Sequence, residues 1–143
     1  MAQKQAEVVV AIDGSDNSHR ALLAAADLAD AMGRELGLLY VYPSDYEHKR
    51  EKGSTDKASS HKESQSRAIF AAALAELGSR RRPAQQHLLV GDPAAEIIDF
   101  MSAHPNCHLV MGRRGLSTIK ALLMGSVSDK VTRHAKGLVT VVS

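Results

Sequence analysis

Five short strand-like runs are laid along this chain with a helical pattern between successive runs. That alternation restricts the fold more than any other feature. Val8-Val9-Val10-Ala11-Ile12, Leu36 to Tyr42, Gln86 to Val90, His108 to Met111 and Leu138 to Val142 read as strands. The first is apolar on both faces, as a strand covered on both sides requires. Between the runs, apolar residues recur every three to four positions. Ala21, Ala25, Leu28 and Met32 form one such stripe, Phe70, Ala73, Leu74 and Leu77 a second, and Ala94, Ile97, Ile98 and Met101 a third. Val127 and Val131 open the last. Gly33, Gly78 and Gly137 follow three of these segments as stops. Pro93 suits a first helical turn, and Ser15 or Asp16 can cap the first helix. The order β-α-β-α-β-α-β-loop-α-β predicts an α/β fold, a parallel sheet with helices on both faces and right-handed crossovers. With 143 residues and no internal repeat, residues 1–143 read as one domain.

One segment breaks the pattern. Ser44 to Ser66 mixes acids (Asp45, Glu47, Glu51, Asp56, Glu63) with bases (Lys49, Arg50, Lys52, Lys57, Lys62) and has almost no aliphatic residue. It offers too little apolar surface to offset the entropy of ordering it. Its first half reads as a mobile loop and its second half as the solvated start of a helix. Arg80-Arg81-Arg82 reads as a solvated turn.

Several function classes fall away on composition. A net charge of +2 gives no basis for nucleic-acid or membrane-surface binding. Cys107 is the one cysteine, so no intrachain disulfide is possible, and no apolar run is long enough to span a bilayer. The polar start, Ala2 to Glu7, has no signal-peptide core, so a cytoplasmic location is expected. His104, Cys107 and His108 bracket a helix end and a strand start, where their side chains diverge, so no metal site is expected. Neither a Ser-His-Asp set nor a paired-carboxylate site is suggested by spacing.

The candidate chemistry lies after the fourth strand. Gly112-Arg113-Arg114-Gly115 leads through a further loop to Gly125-Ser126, and Val127 opens a helix. Glycines let backbone N–H groups close on an anion, and a helix N-terminus adds partial positive charge. The stretch contains neither GxxxxGK[ST] nor GxGxxG, which argues against a P-loop ATPase or a dinucleotide dehydrogenase. Ligands of such sheets sit beyond the carboxyl ends of strands where strand order reverses. If the first and fourth strands are neighbours, Asp13 faces this loop across one crevice.

Ala11-Ile12-Asp13-Gly14-Ser15, the Gly91-Asp92-Pro93 turn and the spacing Gly112-x2-Gly115-x9-Gly125-Ser126 resemble the universal stress proteins, in their ATP-binding branch. The resemblance runs from Val8 to Val142. It implies a three-layer sandwich with a five-stranded parallel sheet of order 3-2-1-4-5. It implies bound ATP or another adenine nucleotide, with adenine near Asp13 and the backbone of Val41. Ribose and phosphates would lie along Gly112, Gly115, Gly125, Ser126, Val127 and Ser128. Ala11 and Arg114 join that nucleotide-binding set, and Mg²⁺ or Mn²⁺ could accompany the phosphates. The resemblance also implies a homodimer through strand 138–142, an uncharged edge that favours pairing. Relatives often carry a proline before this strand, where this chain has Gly137-Leu138.

These features point to a nucleotide-dependent sensor or regulator of the stress response that acts through a protein partner. A slow ATPase or an autophosphorylating protein, with Ser126 or Ser128 as acceptor, is the enzymatic alternative. It lacks an identifiable base. A nucleotide-free interaction protein of the same fold is a third.

Overall fold

The computed structural model describes residues 7–43, 55–80, 83, 85–114 and 125–143. The elements in chain order are β1 (Val8–Ala11), α1 (Asp16–Met32), β2 (Leu36–Pro43), α2 (Thr55–Leu77), β3 (Gln85–Gly91), α3 (Pro93–Ala103), β4 (His108–Gly112), α4 (Ser126–His134) and β5 (Leu138–Val142). The strands form one sheet of order β3-β2-β1-β4-β5. Every neighbouring pair is parallel, with Val8 opposite both Leu36 and His108 and Val110 opposite Thr140. This is the arrangement that strict alternation of strand and helix predicts.

Alternation along the strands divides the core in two. Val8, Val10, Leu36, Leu38 and Val110 face Ala21, Leu22 and Ala25 of α1 and Phe70, Ala73 and Leu77 of α2. Val9, Leu39, Leu109 and Met111 face Ala94, Ile97, Phe100 and Met101 of α3 and Val131 of α4. Each central strand is buried on both faces, which explains its unbroken apolar run.

Local chemistry sets the helix ends. Ser15 caps α1 by accepting a hydrogen bond from the Ser18 N–H at 3.2 Å. Gly33 ends α1 at φ 64°, a left-handed conformation that glycine adopts at little cost. Asp92 caps α3, accepting from the Ala95 N–H at 3.0 Å, and Pro93 follows in the first turn. α2 begins at Thr55, inside the polar segment. Residues 44–54 of that segment, and Arg81 and Arg82 of the basic cluster, lie outside the described residues.

Three apolar stripes differ in detail from the sequence reading, and on α1 the difference is Met32, which is 37% exposed. Leu74 is 40% exposed while Phe70, Ala73 and Leu77 are buried, because the sheet covers only one flank of α2. On α3, Phe100 is buried and Ile98 only partly so. The Phe100 ring packs against two imidazoles, with centroids 4.9 Å from His87 and 4.1 Å from His104. These contacts turn Phe100 inward, and helical periodicity alone does not show them.

The Cys107 thiol is buried, and that burial, with the charge of Glu7, pushes its pKa up to about 11. A thiol in that environment is not a nucleophile at neutral pH. His104 Nδ1 lies 2.8 Å from the Phe100 carbonyl, while His108 Nε2 lies 2.7 Å from Thr140 Oγ1 on β5. The two imidazoles are thus held by different partners. Among the described residues no group of three His, Cys, Asp or Glu could hold a metal ion, and no helix is long and apolar enough to cross a membrane.

Candidate functional site

From β1 the chain winds outward through β2 to β3. It then returns to place β4 on the other side of β1 and continues to β5. The reversal lies between β1 and β4, so their carboxyl ends part and leave a crevice. Asp13 follows β1 and Gly112 ends β4, so the neighbour relation assumed from the sequence is the one the fold makes.

The Asp13 side is tightly held. Its carboxylate Oδ1 accepts the Ser15 N–H at 2.9 Å, and its own N–H points to Ser18 Oγ at 3.3 Å. The Ser18 hydroxyl donates to the Ser15 carbonyl at 3.0 Å. Asp13 therefore does not cap α1; Ser15 does, and the carboxylate belongs to the turn.

On the other side, the Arg113 N–H donates to the Val142 carbonyl at 2.7 Å, tying the start of the loop to β5. The Arg113 carbonyl receives the Gly125 N–H at 2.9 Å and the hydroxyl of Ser128. These bonds bring the two ends of the loop together and aim the start of α4 at the crevice. Gly125 is the N-cap residue of α4 and supplies no side-chain acceptor. The first intrahelical bond runs from the Asp129 N–H to the Gly125 carbonyl at 2.9 Å. The N–H groups of Ser126, Val127 and Ser128 thus precede the helical ladder and lack a side-chain cap, at the positive end of the helix dipole. α1 and α3, by contrast, both carry side-chain caps.

Between these two sides lies a cavity of about 230 Å³. Ala11, Asp13, Val41, Gly112, Arg114, Gly125, Ser126, Val127 and Ser128 all line it. Gly115, assigned to phosphate approach in the sequence reading, lies outside the described residues. Sequence reading missed Ile12, Ser18, Leu39, Ile97 and Met111, which also line the cavity. Leu39 lies two residues before Val41 and so shares its face of β2, a signal that strand alternation carries. Ile97 on α3 shows itself only once the topology is known.

Three residues of the set also have structural roles. A Cβ on Gly112 would lie 2.9 Å from Asn17 Cβ and 3.0 Å from the Asn17 carbonyl carbon and oxygen. Gly112 therefore allows α1 to sit against β4. Gly125 has φ −64° and ψ 157°, which any residue adopts, so backbone strain does not demand a glycine there. Its consequence is that α4 starts without a side-chain cap. Ser128 is 2% exposed, and its hydroxyl is held by the Arg113 carbonyl, so only its N–H remains to meet a ligand.

Asp13 and Arg114 are the only ionisable residues lining the cavity among the described residues. The arrangement combines a fixed carboxylate, an apolar wall (Leu39, Val41, Ile97, Met111) and an open helix N-terminus. It suits a ligand with a flat apolar body, hydrogen-bond donors at one end and an anion at the other.

The profile of the universal stress protein family matches residues 6–143. A universal stress protein of Thermus aquaticus is 31% identical over 128 residues, covering 90% of this chain and 91% of its own length. A universal stress protein solved in complex with cAMP is 27% identical, with a TM-score of 0.67 over 99% of this chain and 98% of that one. One from Archaeoglobus fulgidus, solved in complex with dAMP, is 22% identical. It shares the fold, with a TM-score of 0.71 over 99% of this chain and 100% of that one.

Proposed function

This chain belongs to the universal stress protein family, and we propose that within it the protein binds an adenine nucleotide, ATP, in the crevice between β1 and β4. The observation that carries the reading is the uncapped start of α4, opening onto the cavity opposite Asp13. Backbone N–H groups at a helix N-terminus bind phosphate. Leu39, Val41, Ile97 and Met111 would enclose the base, and Asp13 would accept a hydrogen bond from the nucleoside. The relative bound to cAMP carries an adenine nucleotide on the same fold, which supports this choice of ligand. Asp13 is the one carboxylate lining the cavity among the described residues, so a divalent ion would be held mainly by phosphate oxygens and water. Mass spectrometry of the small molecules released on denaturing freshly purified protein is expected to show an adenine nucleotide. A nucleotide of another base would remove the reading.

The role that follows is sensing rather than turnover. With Asp13 in its turn and no histidine in the lining, the cavity offers no evident base to activate water among the described residues. For the enzymatic alternative, Ser128 is an unsuitable phosphate acceptor because its hydroxyl is buried and bonded. Ser126, which is exposed, would remain. In the sensing role, nucleotide occupancy would set the surface around the Gly112–Ser126 loop that a partner protein reads.

Homodimerisation through β5 completes the proposal. β5 is an outer strand with Leu138 58% exposed, and pairing it with its own copy would cover an apolar edge. Sedimentation is expected to give twice the 15.3 kDa chain mass, and Leu138→Lys to shift the protein toward monomer. A monomeric wild type would contradict this part.

A further inference from the structure

We propose that Ser18 is a positioning residue for nucleotide recognition, fixing Asp13 so that its carboxylate meets a hydrogen-bond donor on the nucleoside half of the ligand. The inference rests on the nucleotide reading of the crevice and adds to it the residue that sets ligand selectivity.

Ser18 lies in the first turn of α1, is 4% exposed and lines the same cavity as Asp13. Its hydroxyl faces two backbone groups at once. It receives the Asp13 N–H at 3.3 Å and donates to the Ser15 carbonyl at 3.0 Å. The Ser15 N–H closes the ring on Asp13 Oδ1 at 2.9 Å. The aspartate is thus held at both its main chain and its side chain, with the Ser18 hydroxyl as the bridge. An ionised carboxylate only accepts hydrogen bonds, so it favours a ligand that presents N–H or O–H and disfavours one that presents a lone pair. Two donors of an adenine nucleotide have this chemistry, the 6-amino group of the base and the ribose hydroxyls.

Ser15 provides the contrast. Its side chain caps α1 by accepting the Ser18 N–H, but only its backbone takes part in holding Asp13. Removing the Ser15 hydroxyl should therefore weaken the helix start and leave Asp13 in place. Removing the Ser18 hydroxyl should free the Asp13 main chain and leave its carboxylate on the Ser15 N–H alone, loosening its aim.

Equilibrium titrations with ATP, ITP, 2′-deoxy-ATP and 3′-deoxy-ATP read the difference. ITP replaces the amino group by a carbonyl, and the deoxy compounds each lose one hydroxyl. The wild type should favour ATP over one of these analogues by about tenfold or more, the range of a hydrogen bond to a charged group. The analogue rejected identifies the donor. Ser18→Ala should lower that ratio severalfold, Ser18→Thr should restore it, and Ser15→Ala should lower the melting temperature with the ratio unchanged. An unchanged ratio in Ser18→Ala, or an equal loss in Ser15→Ala, would overturn the inference. Wild-type binding without preference would overturn it too and leave the nucleotide reading standing. Failure of the wild type to bind any adenine nucleotide would remove both, and would be seen before any variant is made.

Discussion

Gly125→Asp should abolish nucleotide binding while the protein keeps its melting temperature. Gly125 has φ −64° and ψ 157°, so an aspartate fits the backbone without strain. Aspartate is among the best N-cap residues, and exchanging it with glycine there changes stability by only a few tenths of a kcal/mol. Its carboxylate would accept from the N–H groups at the start of α4 that are otherwise open to the crevice. The phosphate would lose those donors and also meet a negative charge. At about 4 Å and an effective dielectric of about 20, that repulsion is about 4 kcal/mol. Affinity should fall by roughly 100-fold or more. Calorimetric titration with a thermal melt as control checks it. Near-wild-type affinity in a folded variant would show that the helix N-terminus does not hold the anion.

Gly112→Val should unfold or strongly destabilise the protein whether or not nucleotide is present. The space for a Cβ at Gly112 is filled by Asn17, including its backbone carbonyl. A backbone neighbour cannot swing aside as a side-chain tip can. Overpacking typically costs about 1–3 kcal/mol, and moving a helix off the sheet should bring the cost to about 3 kcal/mol or more. That is a large share of the roughly 5–15 kcal/mol by which domains are stable. Denaturant midpoints give the measurement, with Gly112→Ala expected to lie between. An unchanged midpoint would mean that α1 does not lie against β4 as described. The two glycines thus separate: one positions the fold, and the other leaves the site open.

The architecture was legible because several elements state their type twice. Val8 to Ala11 is apolar on both faces, and α1 has an apolar stripe, a capping Ser15 and a closing Gly33. Strand order came from the family resemblance, and the sheet has that order. What escaped the sequence depends on contact between distant segments. Helical spacing gave Ile98 and Leu74 the same standing as buried neighbours, and only the sheet's placement decides which flank is covered. The packing role of Gly112 escaped because nothing near it in sequence reveals Asn17 beside it. The engagement of the Ser128 hydroxyl escaped because its bond to the Arg113 carbonyl spans 15 residues. Nine of the ten residues assigned to the nucleotide do line one cavity. The polar role of Ser18 beside Asp13, by contrast, needs the turn geometry to be seen.

In the proposed complex an adenine nucleotide occupies the crevice with its phosphate on the start of α4. Titration of ATP into the purified wild type and into Gly125→Asp tests it most directly. Saturable binding of one nucleotide per chain is expected in the wild type, with its loss in the folded variant. No binding by the wild type at millimolar ATP, or equal binding by both proteins, would contradict it.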